Sequence, residues 1–499
     1  MTATTRFALL LALATFALAL TIRLLGVDLR EPWLDEIYSQ FAISRDWFGL
    51  AKDRITRGHS PLYFALMKAL GIDGANIVAM RTASAIFDSA GAAILAAALA
   101  LHVNRPAALF FGFFYAWSPL AVHWAQNARP YGLLIFFLAI GLTGAMGLLA
   151  TLGRDSADAT QRPRRLFAFG FSMASLTITA GIFAFLSTAL LPFLLPRTRR
   201  DKAFLQRWKQ ALKVPGIVAV LAYFIVSGPH IARNVDGYWA EKYNTLGLEG
   251  LGNLWVSAVI DVDPAVALTR LSIAPELAPP LIWTISILLV SFVAIGLTAC
   301  RTRPGLLALA FLMIGYTFLM ICVSAWTSVL VPRYFLPPWI ALLALAATGM
   351  AAARSRTRWS WLAIAPLMLV FATLGFLKAT QPGVPQDRAL APVAEIIALA
   401  PPETVRILYE RTDGTRNKLI KELFPLRFGR AELDRPALSS WRLDRFTGAR
   451  AEGQDIFAFV SEEKLAGILA ETGETPACIH GFGDWHLAYW GRLDTICTR

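Results

Sequence analysis

The chain has 499 residues, 56% hydrophobic and only 16% charged, where a soluble protein carries about 25% charged residues. Apolar runs recur from end to end at about 20 residues, the length that crosses a hydrocarbon core about 30 Å thick. The formal charge of +13 would suggest nucleic acid in a soluble chain. Here the surplus sits in short loops between apolar runs, where Lys and Arg set membrane orientation, and nucleic acid drops out as a partner.

The apolar pattern predicts eleven spans, at 7–27, 78–101, 107–123, 130–151, 166–181, 182–196, 214–231, 280–299, 305–325, 334–352 and 359–377. The stretch 166–196 reads either as one long hairpin or as one broken helix. The fold class is an all-α polytopic membrane protein with interfacial helices in its first outer loop and a small C-terminal α/β domain. The domains are 1–377 in the membrane and 378–499 outside it. With the N-terminus cytoplasmic, the inner loops hold Arg105, then Arg154, Arg162, Arg164 and Arg165. Arg197, Arg199, Arg200 and Lys202 follow, then Arg301 with Arg303, and Arg354, Arg356 and Arg358. The outer segments hold the acidic residues Asp28, Glu31, Asp35, Glu36, Asp236, Glu241, Asp261 and Asp263. This asymmetry predicts a multi-pass protein of the inner (plasma) membrane with its C-terminal domain extracytoplasmic.

The first outer loop, 28–77, is the richest segment. Arg30-Glu31-Pro32-Trp33-Leu34-Asp35-Glu36 places adjacent carboxylates beside a tryptophan at the lipid–water boundary. One reading is an interfacial turn with a helix cap at Asp35. The other makes one carboxylate a general base, its pKa raised by burial and by its acidic neighbour. Ile37, Phe41, Phe48 and Ile55 recur at helical spacing with Arg45, Asp46, Lys52 and Asp53 between them. That pattern predicts a helix lying in the interface over 36–56, either a plain anchor or the roof of a site. The loop ends in Gly58-His59-Ser60-Pro61-Leu62-Tyr63-Phe64.

Arg81 opens the second span and Asp88 lies two turns further on the same face. An ionisable residue at that depth needs a partner, so Arg81–Asp88 or an interhelix pair is expected. Polar groups cluster again in His123-Trp124-Ala125-Gln126-Asn127-Ala128-Arg129-Pro130-Tyr131 and in Val331-Pro332-Arg333-Tyr334. Arginines at outer span ends run against the positive-inside bias, and a phosphate ligand is a good reason for them. Snorkelling to the interface is the plainer one. Candidate substrate- and phosphate-binding residues are therefore His59, Tyr63, Arg81, Gln126, Arg129, Tyr131, Arg333 and Tyr334.

After residue 378 the chain turns polar, opened by Pro382 and Pro385. Thr404–Tyr409 and Asp455–Val460 read as strands and Glu462–Ala470 as a helix. Cys300 and Cys322 read as packing residues. Cys478 and Cys497 lie in the polar C-terminal part and could form a disulfide if their domain faces an oxidising compartment; two cysteines near a chain end leave bridged and free forms both open. No GxxxxGK[ST] loop, strand–GxGxxG–helix unit, CxxC pair or HExxH helix appears. Chemistry at the outer surface therefore needs a pre-activated substrate, which a lipid carrier supplies.

The pieces WLDE (33–36), HSPLYF (59–64), RTASAIF (81–87), SPLAVHWAQNARPY (118–131) and PRYFLP (332–337) occur in that order. Together they resemble bacterial family-39-type glycosyltransferases of the GT-C clan, which includes protein O-mannosyltransferases and lipid A aminoarabinose transferases. The resemblance is good over about 28–140 and does not extend to the C-terminal domain. It implies a polyprenyl-phosphate sugar donor, Asp35 as the catalytic acidic residue with Glu36 as helper or metal-facing neighbour, and basic outer residues on the donor phosphate. The chain departs from the family at Asn127, where an acidic residue is usual. No cofactor is assigned; a divalent metal stays possible because the requirement varies across the clan, although no clear ligand set is visible.

The expected activity is a hexosyl or pentosyl transfer to an acceptor hydroxyl on a lipid, glycan or protein, with inversion. A transporter or flippase of lipid-linked sugar also needs many spans and intramembrane polar groups, but it predicts paired broken helices and an internal repeat, and neither is visible. A membrane scaffold with a partner-binding outer domain leaves the arginines and WLDE unexplained.

Overall fold

The structure, a computed structural model, describes residues 2–30, 32–74, 76–153, 158–229, 247–260, 278–325, 330–381, 393, 396–397, 399, 405–410, 438–482 and 485–498. Glu31, Arg154, Pro382, Pro385 and most of the outer segment 232–279, with Asp236, Glu241, Asp261 and Asp263, lie outside them.

The main helices are α1 (Ala3–Leu24), α2 (Leu34–Ser44), α3 (Trp47–Thr56), α4 (Leu62–Ala69), α5 (Ile77–His102), α6 (Arg105–Ala116), α7 (Pro119–Ala125), α8 (Tyr131–Leu149), α9 (Asp158–Thr177) and α10 (Thr179–Ala189). They continue with α11 (Lys202–Ala222), α12 (Leu248–Val259), α13 (Ala278–Thr298), α14 (Leu306–Ser324), α15 (Leu336–Arg356), α16 (Trp361–Ala379), α17 (Leu443–Ala451) and α18 (Glu462–Thr472). Among the described residues, eight helices are long and apolar enough to cross a membrane: 3–24, 77–102, 131–149, 202–227, 279–301, 306–324, 332–356 and 358–379. Each overlaps one of the predicted spans, although the helix 202–227 starts twelve residues before the predicted 214–231.

The other three predicted spans are built differently. The run 107–123 is cut by Ser118 and Pro119. The Ser118 side chain caps α7, accepting from Ala121 N–H, so α6 ends at twelve residues. The stretch 166–196 is a hairpin. Ile178 is extended between α9 and α10, and Phe171 and Phe185, seven residues to either side of it, lie 5.9 Å apart. One straight helix would hold them about 20 Å apart.

By internal contacts the chain forms two compact units. The first comprises residues 1–27, 45–72 and 78–381, the second 28–44, 73–77 and 382–499. The predicted 36–56 helix breaks at Asp46, which takes an extended conformation and N-caps α3 through Gly49 N–H. Its first half, α2, belongs to the second unit and its second half, α3, to the first.

In the first unit α8 is buried on almost every face. Gly132 lets it pass close to α5, since a Cβ there would lie 2.2 Å from the Ser84 carbonyl oxygen. That crossing carries the segment after Arg129 onto α5.

The second unit is built on a five-stranded sheet in the order β2-β1-β3-β5-β4, with β1 (Val405–Tyr409), β2 (Leu438–Ser440), β3 (Asp455–Ser461), β4 (Cys478–Phe482) and β5 (Trp485–Trp490). β1 runs parallel to β2 and β3, while β5 is antiparallel to β3 and β4. Alternation along the strands sends Leu408, Ile456, Ala458 and Val460 to one face, under α17 and α18. Ile407, Phe457, Phe459 and Leu487 go to the other, where Ile37 and Phe41 of α2 complete the cluster. Cys478 and Cys497 are joined by a disulfide.

Candidate functional site

Asp35 and Glu36 stand in the first turn of α2, in the second unit. Asp35 is half-buried. The cap lies two residues earlier than the sequence suggests, at Trp33: Glu36 is fully buried, and its Oε2 accepts from the Trp33 N–H at 3.4 Å. This is the acidic half of a capping box, and it gives Glu36 a structural use beside any chemical one. The apolar side of the same helix, Ile37 and Phe41, is what the sheet holds.

The remaining candidate residues belong to the first unit. Asp88 takes its partner from α1: Arg23 Nε donates to Asp88 Oδ2 at 2.6 Å, and Tyr115 Oη donates to Asp88 Oδ1 at 2.7 Å. The predicted interhelix pair is therefore Arg23–Asp88. Arg81 is buried and donates through Nη1 to the Val27 carbonyl at 3.1 Å, at the point where the chain leaves α1. Gln126 Nε2 donates to the carbonyls of Arg23 (2.9 Å) and Ala379 (3.2 Å), tying the ends of α1 and α16 to the loop after α7. Asn127 Nδ2 donates to the His123 carbonyl at 2.6 Å. A carboxylate in that place has no proton to give, so asparagine here has a local structural use.

Arg129 is positioned through its backbone. Tyr63 Oη lies 2.9 Å from Ser84 Oγ, which donates to the Arg129 carbonyl at 3.4 Å. Trp124 and Tyr131 pack edge to face at 4.9 Å. Arg333 is buried in the 3₁₀ turn Pro332–Phe335, with its guanidinium 5.5 Å from the Tyr334 ring centre. One turn later Trp339 Nε1 donates to Ser118 Oγ at 2.8 Å, across 221 residues of chain. That bond locks the helix after Arg333 to the start of the segment that ends at Arg129. Tyr316 of α14 is fully buried, and its hydroxyl has no hydrogen-bond partner among the described residues. The fold thus brings the Arg129 and Arg333 segments to one place.

His59 leads to a basic cluster that the sequence reading passed over. Its N–H donates to the Arg54 carbonyl at 2.8 Å. Arg54 lies on the buried side of α3 with Leu50, four residues before it, while Trp47 and Phe48 are exposed. The Arg54 guanidinium sits 4.9 Å from the Phe64 ring centre and is ion-paired with Asp53, its Nε donating at 2.8 Å. Arg57 Nε also reaches Asp53, at 3.1 Å. Burial pulls the Arg54 pKa down; Asp53 opposes this, while Arg129 and Arg57 add to it by repulsion. Burial alone would raise the Asp53 pKa, but Arg54 and Arg57 outweigh it and hold the carboxyl below its ordinary value.

Two residues of this region, Arg54 and Tyr316, escaped the sequence reading. Each left a signal: Arg54 falls at i+4 from Leu50 on the buried stripe of α3, and Tyr316 is a polar group deep in an apolar span. A groove of about 380 Å³ on α1, α6 and α16 is lined by none of the candidate residues. Among the described residues no group of three or more His, Cys, Asp and Glu is placed to hold a metal.

No family model matches the chain, and no curated protein matches it in sequence. Solved structures do. ArnT from Cupriavidus metallidurans, a GT-C aminoarabinose transferase, matches at 15% identity over 96% of this chain and 99% of its own. The TM-score is 0.60 for its apo state and 0.58 for the form bound to undecaprenyl phosphate. The oligosaccharyltransferase AglB from Archaeoglobus fulgidus, in complex with an inhibitory peptide and a dolichol-phosphate, matches at 11% identity and a TM-score of 0.54, over 91% of this chain and 70% of its own. The chain has the GT-C fold of these transferases and is a multi-pass membrane protein.

Proposed function

We propose that this GT-C-fold membrane protein is a glycosyltransferase that takes a sugar from a polyprenyl-phosphate carrier and passes it to an acceptor hydroxyl on the extracytoplasmic face. The observation that carries this reading is the Trp339–Ser118 hydrogen bond, which joins the Arg129 and Arg333 segments, in a fold shared with a transferase solved with undecaprenyl phosphate. Two guanidiniums on separate elements suit a phosphate, whose oxygens accept in the plane of each fork.

The chemistry is a single displacement. The acceptor oxygen attacks the anomeric carbon and its proton passes to the Asp35 carboxylate. The bond from that carbon to the phosphate oxygen breaks, and its electron pair leaves on the phosphate. In-line attack inverts the anomeric centre. Phosphate is a stable anion, so no acid opposite Asp35 is required, unlike the paired carboxylates of a glycosidase. Arg129 and Arg333 stabilise the departing charge, with His59 and the hydroxyls of Tyr63, Tyr131 and Tyr334 as further ligands of donor or phosphate. Arg81 and Gln126 serve the same region by fixing the backbone at Val27, Arg23 and Ala379. Glu36 holds the first turn of α2. Sugar class, hexosyl or pentosyl, follows from the donor that works.

The orientation proposed is N-terminus cytoplasmic, membrane domain 1–377 and an extracytoplasmic domain 378–499, in the inner membrane. The basic inner loops support it, and so does the Cys478–Cys497 disulfide, since such bonds persist in oxidising compartments.

The test is the purified full chain in detergent, incubated with radiolabelled polyprenyl-phosphate sugars and a membrane extract. Label is expected on a new, carrier-free product, which names the acceptor. Label that stays on its carrier with every donor would sink the reading. Movement of intact labelled carrier between leaflets of a vesicle would favour a flippase.

A further inference from the structure

Arg54 is an unusual cation. Its side chain is 1% exposed, and its Nη1 is buried with no hydrogen-bond partner among the described residues. Leaving a buried donor of a charged group unsatisfied is costly. Among the described residues its carboxylate partner is Asp53, which is divided among Arg54, Arg57 at 3.1 Å and Arg45 at 3.8 Å. The guanidinium is held on the Phe64 ring, and Tyr63, next in the chain, reaches the Arg129 carbonyl through Ser84. Folding has buried a cation whose carboxylate is shared with two other arginines and has left one of its donors unsatisfied, an arrangement that an anion relieves.

We propose that Arg54 is an additional phosphate ligand that binds the spent carrier, a phosphate monoester, in preference to the sugar-bearing diester. This rests on the transferase reading above. In the donor the phosphate is a diester, with one negative charge on two free oxygens. Once the bond to the sugar breaks, the phosphate has three terminal oxygens and a charge near −1.5 to −2 at about pH 7. The open Nη1 donor matches the oxygen and the charge that appear only as that bond breaks. Binding that strengthens along the reaction accelerates it, whereas binding equally strong throughout does not. The same contact makes the released carrier phosphate an inhibitor.

The experiment measures binding of undecaprenyl phosphate and of its methyl diester to the full-length protein in lipid nanodiscs, by calorimetry and by ligand-dependent melting temperature. Wild type is expected to favour the monoester by about tenfold or more. Arg54→Gln should lose that preference, binding the monoester about tenfold more weakly with the diester unchanged. Arg54→Lys keeps the charge and the packing on Phe64 but loses the fork of donors, and should retain only part of the preference. It stands in if Arg54→Gln fails to fold. Full discrimination kept by either folded variant overturns the assignment while leaving the transferase reading intact. Wild type that binds neither lipid overturns both.

Discussion

Arg23 of α1 and Asp88 of α5, 65 residues apart in the chain, meet at 2.6 Å with both side chains almost wholly buried. Each charge is tolerable only because of the other, and Tyr115 and the carbonyls of Ala19 and Ala116 satisfy much of what remains. Truncating one partner strands a charge. Asp88→Ala or Arg23→Ala should cost about 3–5 kcal/mol, read as a lower melting temperature in detergent. The paired Arg23→Met/Asp88→Leu change should recover most of it. Single variants as stable as wild type would show that the pair is dispensable.

Asp35 is assigned the proton. Asp35→Asn keeps size and the Ser39-to-Asp35 backbone bond but removes the base, so transfer should fall by about a hundredfold or more with little change in melting temperature. Near-normal turnover by a folded variant would move the base elsewhere.

The helix that carries Asp35 is seated on the sheet by Ile37. Ile37→Ala should therefore lose about 2–5 kcal/mol of packing and reduce transfer with the carboxylates untouched. Hydrogen exchange of the α2 amides should rise in step with the loss of activity. Unchanged exchange in α2 would mean that the sheet does not hold it.

Asp53 titrates below its ordinary value because Arg54 and Arg57 outweigh the effect of its burial. A carboxyl with a depressed native pKa stabilises the fold above its unfolded pKa, and that contribution disappears as pH falls through the native one. Asp53→Asn should therefore make α3 more labile to protease at neutral pH. The difference from wild type should shrink below about pH 4, the ordinary carboxylate range. A difference that persists undiminished in acid would point to packing instead of charge.

The Cys478–Cys497 bridge closes a separation of 19 residues at the chain end. For a loop near that size the stabilisation is about 3 kcal/mol. Cys478→Ser/Cys497→Ser should lower the unfolding midpoint of the 382–499 region. In cells both wild-type thiols should resist alkylation until a reductant is added. Free thiols in unreduced wild type would contradict the extracytoplasmic placement.

Hydropathy alone located each of the eight long spans, because lipid demands a continuous apolar run and a satisfied backbone. Short runs of strand-forming residues bounded by polar sequence marked β1 and β3, which are buried on both faces of the sheet. Where the outcome hung on one residue, the pattern was blind. Ser118-Pro119 divides an apolar run, Ile178 reverses the chain, and Asp46 caps α3 where periodicity continues straight through it.

Local sequence likewise picked out Asp35, Arg129 and Arg333, since charged groups at span ends are costly enough to stand out. It did not choose their neighbours. That Asp88 takes Arg23 and not Arg81, that Trp339 reaches Ser118 across 221 residues, and that Arg54 is buried beside Phe64 are consequences of helix packing. Chain spacing carries no information about which helix faces contact. Composition and periodicity report the solvent each segment must live in, whereas the pairing of distant side chains is decided only when the helices close around them.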